Sequence, residues 1–266
     1  MTIEQIIILS LIQGITEFLP ISSSGHLAML PLLSSWPDQG IMADVALHSG
    51  SLIAVLIYFW RDVRNITVGF FDIFRGKNTA NRKLFLLLSL STIPVFVIGF
   101  TLKKIGVIDN LRSLEVIAWA NIVFAVFLYW FDRIGAQVKN TEDFSVKDAL
   151  LIGFAQCLAL IPGSSRSGTT MTMARRLGYK RDESARLSML MGIPTILGAS
   201  LLLLVDLSKE TDVSVQVDAL VMAALSFVVA FMSIWGLMAL LKRMSMLPFV
   251  IYRLVLGAAL ILYIYM

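Results

Sequence analysis

Apolar positions along this chain gather into long charge-poor runs rather than into the stripes of a soluble protein. Six such runs cover 43–60, 84–102, 114–131, 186–206, 218–241 and 246–266. Each is about 16–23 residues long, the length that crosses a bilayer as one helix. The run 84–102 lies between Lys83 and Lys103, and 219–241 lies between Asp218 and Lys242. Arg253 interrupts the last run, where it either snorkels to the interface or faces the protein interior.

Two further apolar segments are shorter and broken. Near the N-terminus an apolar stretch leads to Glu17, then to Pro20 and the serines Ser22, Ser23 and Ser24. A second stretch, 149–161, runs into Pro162 and Gly163 and the polar residues 164–170. Short apolar helices broken by Pro, Gly and Ser predict re-entrant segments. Irregular backbone at membrane depth is stable only where it is buried in protein or lines a wet cavity. Ordinary kinked helices are the plainer reading, and the wealth of polar atoms at both breaks argues against it. The predicted fold is an all-α polytopic membrane protein with six transmembrane helices plus two re-entrant helix-loop-helix segments. It forms a single integral membrane domain over 1–266.

Composition agrees: 58% of the 266 residues are hydrophobic and 15% charged, with mean hydropathy +0.82, whereas a soluble domain is about one-quarter charged. The net charge of +4 comes with no basic tract or aromatic-basic interleaving, so membrane lipids and not nucleic acid are the expected partners. Cys157 is the only cysteine, and His26 and His48 are the only histidines. That excludes a disulfide framework, a cysteine metal site and a three-histidine zinc site. Arg61 is the first Lys or Arg, so no basic region precedes the first apolar stretch and no cleavable signal peptide is expected. Basic residues then crowd into 61–83, 132–186 and 242–245. The positive-inside rule places these in the cytoplasm and both termini outside, with Lys103, Lys104 and Arg112 running against the trend.

The two broken segments resemble each other: QGITEFLPISSSGH at 13–26 and QCLALIPGSSRSGT at 156–169. A shift of 143 places Gln13 on Gln156, Ser24 on Ser167 and Gly25 on Gly168, and a one-residue slip brings Pro20 onto Pro162. The chain therefore reads as two repeat halves, about 1–140 and 141–266. Each is one broken unit followed by three spans. An odd number of spans inverts the second half, giving an inverted-topology repeat whose loops meet near the midplane. Chance likeness of Ser/Gly-rich strings is the alternative, and the matching order of spans argues against it.

Both loops carry chemistry. Gln13 and Glu17 share a helix face at i, i+4, and an ionisable group within the membrane is functional by default. Ser22, Ser23, Ser24 and Gly25 offer hydroxyls and permissive backbone that can wrap an anion. His26 follows as a candidate acid, base or nucleophile. In the second loop Arg166 presents a bidentate fork for phosphate among Ser164, Ser165, Ser167, Gly168, Thr169 and Thr170. A helix is expected to resume near Thr169 and to point its N-terminus at the same anion. Together these residues suit hydrolysis of a phosphate ester or anhydride. Glu17, with Gln13, is also a candidate ligand for a hard divalent cation, Mg or Ca. Asp44 and His48, i, i+4 beside Ser49, Gly50 and Ser51, could line the cavity, and read more readily as helix-packing and interface residues. Arg175, Arg176, Lys180 and Arg181 read as a solvated cytoplasmic face.

These motifs resemble those of the bacterial undecaprenyl-diphosphatase, or bacitracin-resistance, family. Its (E/Q)xxxE signature reads Gln13-xxx-Glu17 here, leading into EFLPISSSGH. Its PGxSRSxxT signature reads Pro162-Gly163-x-Ser165-Arg166-Ser167-xx-Thr170. The segments 43–60 and 246–253 also look like family segments, so the resemblance covers nearly the whole chain. It implies hydrolysis of undecaprenyl diphosphate to undecaprenyl phosphate and inorganic phosphate, recycling the cell-wall carrier lipid and conferring bacitracin resistance. It further implies a bacterial cytoplasmic (inner) membrane location, an active site open to the outer, periplasmic side, and dependence on a divalent cation. Glu17, Ser23, His26 and Arg166 would be the catalytic set. On the residues themselves, Ser23 activated by His26 or Glu17 is the expected nucleophile, with direct attack by water or by His26 the less favoured alternatives. Gln13 in place of the alternative Glu leaves fewer carboxylates for metal, so the lipid diphosphate would supply most of its ligands. Two other classes compete: a lipid-phosphate transporter on an inverted-repeat scaffold, and a type-2 phosphatidic-acid phosphatase. The latter needs a histidine after its SR motif, and none follows His48. Oligomeric state stays open, a homodimer included.

Overall fold

The computed structural model describes residues 1–34, 36–107, 111–209 and 212–266, with backbone alone at Ala199 and 202–209. Among the described residues the long elements are all helices. In chain order they are α1 (Ile3–Thr16), α2 (Ser23–Leu33), α3 (Gly40–Tyr58), α4 (Trp60–Phe74), α5 (Ala80–Lys104) and α6 (Leu114–Ile134), then α7 (Val146–Cys157), α8 (Arg166–Arg176), α9 (Arg181–Lys209), α10 (Val213–Leu241) and α11 (Leu247–Tyr265). Five of them, α3, α5, α6, α10 and α11, are long and apolar enough to cross a membrane. The chain is thus a multi-pass integral membrane protein. The sixth expected span, 186–206, falls in α9, a 29-residue helix whose side chains are described only in part. The expected connections 103–113 and 207–217 lie partly outside the described residues.

The two broken segments form pairs of half-length helices. With 14 residues α1 is about 21 Å long, and with 12 residues α7 is about 18 Å. Neither reaches across the roughly 30 Å of hydrocarbon. Each ends in an irregular stretch and restarts from a capping serine. Ser22, at φ 73°, accepts from the Gly25 amide at the head of α2. Ser165, also at φ 73°, accepts from the Gly168 amide at the head of α8. A left-handed backbone is unusual for serine; here it is held twice by the same hydrogen bond. The second helix restarts at Arg166, three residues earlier than the sequence suggested, because Ser165 caps it.

The broken units interlock with each other and with the spans. α1 packs on α10 and α7 on α5, while α8 lodges among α6, α7 and α9. Ser167 Oγ donates to the Leu19 carbonyl at 2.8 Å, tying the second loop to the first. Beneath both lies Arg253 of α11, 0% exposed. Its guanidinium donates to the carbonyls of Pro20 (3.1 Å), Gly163 (2.9 Å) and Ser164 (3.0 Å). Of the two readings of this arginine, the interior one holds: it staples both breaks from below.

Two regions differ from the sequence reading. Residues 61–83, expected as a loop, contain α4, whose Asp62 and Asp72 are buried. Asp62 takes Arg186 of α9 at 2.5 Å and Asp72 takes the Thr79 hydroxyl at 2.6 Å. Charges placed on the packing face broke up the apolar run and hid the helix. Arg175, expected in solvent, is fully buried. It donates to the Asp132 carboxylate at 2.9 Å, to the Asp132 and Gly135 carbonyls, and to the Tyr179 carbonyl. Arg181 reaches the same carboxylate at 2.8 Å. One acid thereby fixes the far end of α8 to the end of α6. Nearby, burial and then the Asp148 carboxylate push the Tyr179 hydroxyl above its ordinary range, so it remains the donor to Asp148 at 2.8 Å.

Candidate active site

A cavity of about 340 Å³ opens where the two breaks meet. Its polar wall is Glu17, Ser23, Ser24, Asp44, His48, Gln156, Ser165, Arg166 and Thr195. Val95, Ala159, Leu160 and Ile196 form an apolar side. A few convergent polar groups in a mainly apolar cleft of this size suit a ligand with a charged head and a greasy body.

Glu17 is its hub. Buried just past the end of α1, its carboxylate accepts from Ser23 Oγ at 2.7 Å, Gln13 Nε2 at 3.0 Å and Arg166 Nη2 at 3.0 Å. His48 Nε2 stands 3.4 Å away, while its Nδ1 lies 2.7 Å from the Asp44 carbonyl. Both ring nitrogens face acceptors, a setting that suits hydrogens on both. Thus the sequence's two separate loops, and a helix between them, converge on one carboxylate. The Ser23–Glu17 contact sets a hydroxyl within hydrogen-bond reach of a carboxylate, the spacing that a nucleophile and its base require.

Arg166, the first residue of α8, also donates to the Ser188 carbonyl at 3.1 Å. Its room is made by Gly192 of α9, where an added Cβ would lie 2.3 Å from Arg166 Nη1. The end of the guanidinium and the start of α8 both face the cavity region, a pairing suited to an anion.

The remaining expected residues divide by role. Ser24 and Ser165 line the cavity with Glu17, Ser23 and Arg166. Ser22, Gly25, Ser164, Ser167, Gly168, Thr169 and Thr170 do not line it; they build the loops. The Ser22 hydroxyl pairs with Ser24 at 3.3 Å, and Ser165 with Ser167 at 3.0 Å. Ser164 donates to the Ile161 carbonyl, and Thr169 and Thr170 to the Arg166 carbonyl. Gly163 takes φ 91° in the second break, where any side chain would be strained. His26 is turned away from Ser23. Its Nδ1 donates to the Ser22 carbonyl at 2.7 Å and its Nε2 pairs with Tyr252 Oη at 2.6 Å, so both nitrogens are occupied. Its ring stacks on Tyr252 at 5.7 Å. The imidazole at the cavity belongs to His48, which the sequence reading assigned to helix packing. Its i, i+4 spacing from Asp44 was the one local signal.

The described residues do not gather a metal cluster of three or more His, Cys, Asp or Glu. Glu17 is the one carboxylate at the loops, and Arg166, His48, Gln13 and Ser23 already surround it. Gln13 turns its amide nitrogen, a donor, toward Glu17. This set does not fit direct cation binding by protein ligands alone.

By class the chain is an all-helical membrane protein whose cavity gathers a buried Ser–Glu pair and an arginine, groups suited to meeting a phosphate. The model of the bacitracin resistance protein BacA family matches residues 6–259, and the chain belongs to that family. It is 47% identical over 266 residues to the undecaprenyl-diphosphatase of Roseobacter denitrificans, with all of both chains covered. It is similarly 47% identical to that of Ruegeria pomeroyi, with 98% of each chain covered. To undecaprenyl-diphosphatase 1 of Rhodospirillum rubrum it is 44% identical, over 100% of this chain and 96% of the other.

Proposed function

We propose that the chain is an undecaprenyl-diphosphate phosphatase, releasing inorganic phosphate and leaving undecaprenyl phosphate for reuse in cell-wall synthesis, with bacitracin resistance as a consequence. Relatives of that name over the whole length support the reaction. The observation that carries the site is Ser23 Oγ donating to Glu17 at 2.7 Å within the cavity that Arg166 faces.

The substrate's diphosphate lies between the two breaks, with the prenyl chain along the apolar side of the cavity. Unliganded, Glu17 is held by Arg166 and His48. An entering diphosphate competes for these cations, and their transfer to phosphate oxygens frees Glu17 as a base. Ser23 Oγ then attacks the terminal phosphorus while its proton passes to Glu17. The bond from that phosphorus to the bridging oxygen breaks, and the departing undecaprenyl phosphate takes the proton from Glu17, which restores the carboxylate. Water then gives a proton to Glu17 as it attacks the phosphoserine, the bond from phosphorus to Ser23 Oγ breaks, and Glu17 returns the proton to Oγ as inorganic phosphate leaves. Arg166 and the head of α8 stabilise charge on the transferring group. Glu17 rather than His26 is the base in this reading, because His26 has both nitrogens committed elsewhere. A divalent cation, Mg or Ca, arrives with the diphosphate as its counter-ion, and no step depends on a protein-held metal.

The location follows the sequence: the bacterial inner membrane, both termini outside, and the site open to the periplasmic side. In support, the cavity reaches Asp44 and Val45 near the start of α3, the end of that helix joined to the N-terminal unit. The two-half architecture belongs to the same reading. It is supported by the paired capping serines and by α1 on α10 matching α7 on α5. Phosphate release from undecaprenyl diphosphate by the purified protein, lost in Ser23→Ala, tests the proposal; unchanged release in that variant would remove the serine nucleophile.

A further inference from the structure

Gln156 is 0% exposed, one residue from the end of α7, and lines the cavity. Neither its Oε1 nor its Nε2 has a hydrogen-bond partner. A buried amide left unpaired at both ends is costly, and in a native protein such a group calls for an explanation. Its counterpart in the first unit, Gln13, gives its amide nitrogen to Glu17 four residues on. Four residues beyond Gln156 stands Leu160. The second unit thus keeps the amide and lacks the protein anion that would answer it, and it does so at a cavity that Arg166 and His48 also line.

We propose that Gln156 is a substrate contact, its amide nitrogen donating to a non-bridging oxygen of the bound diphosphate. The ligand supplies the anion that Glu17 supplies to Gln13. This rests on the phosphatase reading for the identity of the ligand, and on geometry alone for the preference for a phosphate-bearing anion. Gln156 takes no proton and makes no bond to phosphorus, so it serves affinity: its loss shows in KM more than in kcat.

The test uses the full-length protein purified in detergent, with Gln156→Leu, Gln156→Glu and wild type side by side. Three readouts are taken: calorimetric Kd for inorganic pyrophosphate, KM and kcat for undecaprenyl diphosphate, and Tm. For Gln156→Leu the expected result is a Kd and KM raised by about tenfold, kcat within about threefold, and a Tm raised by about 2–4 °C as the unpaired amide is removed. Gln156→Glu sets a like charge before the anion, and binding falls further. A merely structural glutamine gives the reverse pattern, a lowered Tm with unchanged Kd, and that result overturns the proposal. Should Gln156→Leu fail to fold, pyrophosphate bound as tightly by Gln156→Glu as by wild type overturns it equally. Wild type that binds pyrophosphate but releases no phosphate defeats the phosphatase reading, while the Kd comparison still decides the role of Gln156.

Discussion

Ser23 and Glu17 are six residues apart and meet only because the chain breaks between them and restarts at a left-handed Ser22. That contact makes Glu17→Gln the sharpest single change: kcat should fall by about 10²–10⁴-fold, the range for a lost general base. Tm should fall by several degrees with the protein still folded, since the amide still accepts from Ser23 but no longer offers a charge to Arg166 and His48; assay of phosphate release and a thermal melt check both. Arg166→Lys keeps the charge but loses the fork that reaches Glu17 and Ser188 together, and kcat/KM should drop by at least about tenfold. At this scale the sequence was informative where residues sit inside one motif. Glu17, Ser23 and Arg166 stood out because polar atoms are conspicuous in an apolar run. His48 and Gln156 did not: His48 beside Ser49 and Gly50 reads mainly as a packing residue, Gln156 reads only as the repeat partner of Gln13, and both join the cavity through tertiary packing. His26 is near Ser23 in sequence, while in the first turn of α2 its ring nitrogens reach the Ser22 carbonyl and Tyr252.

Helices place these side chains by close approach. Gly192 on α9 is the clearest case, because a Cβ there would meet the Arg166 guanidinium. Gly192→Ala should therefore act like a partial Arg166 lesion, lowering kcat/KM for undecaprenyl diphosphate with a Tm shift of only a few degrees. Arg253 of α11 does for the loops what Gly192 does for Arg166. Arg253→Met would leave the carbonyls of Pro20, Gly163 and Ser164 unpaired in the interior, a cost of at least about 2 kcal/mol. Tm should fall by about 4–8 °C, read by the same thermal melt. Five long spans were legible because twenty apolar residues in a row have few other solutions in a membrane protein. α4 was not, since its buried Asp62 and Asp72 pair with Arg186 and Thr79, partners that no local pattern reveals.

Across the whole molecule, two broken units of similar sequence meet and contribute unlike halves of one site: the first brings Ser23 and Glu17, the second Arg166 and Gln156. The first unit keeps its acid four residues after the glutamine, and the second has Leu160 there. A membrane-buried site of this kind needs only one carboxylate if the cations beside it can exchange between it and the substrate. Because the described residues gather no cluster of three or more metal-ligating side chains, a chelator should lower phosphate release without lowering Tm, the cation being the diphosphate's companion. The central claim is that Ser23, activated by Glu17, hydrolyses the diphosphate at the meeting point of the two breaks. Its most direct test is inorganic phosphate release from undecaprenyl diphosphate by purified wild type beside Ser23→Ala, Glu17→Gln and Arg166→Ala. The account predicts release by wild type and its near-complete loss in all three variants with the protein still folded. Release sustained in Ser23→Ala and Glu17→Gln, or none from folded wild type, would contradict it.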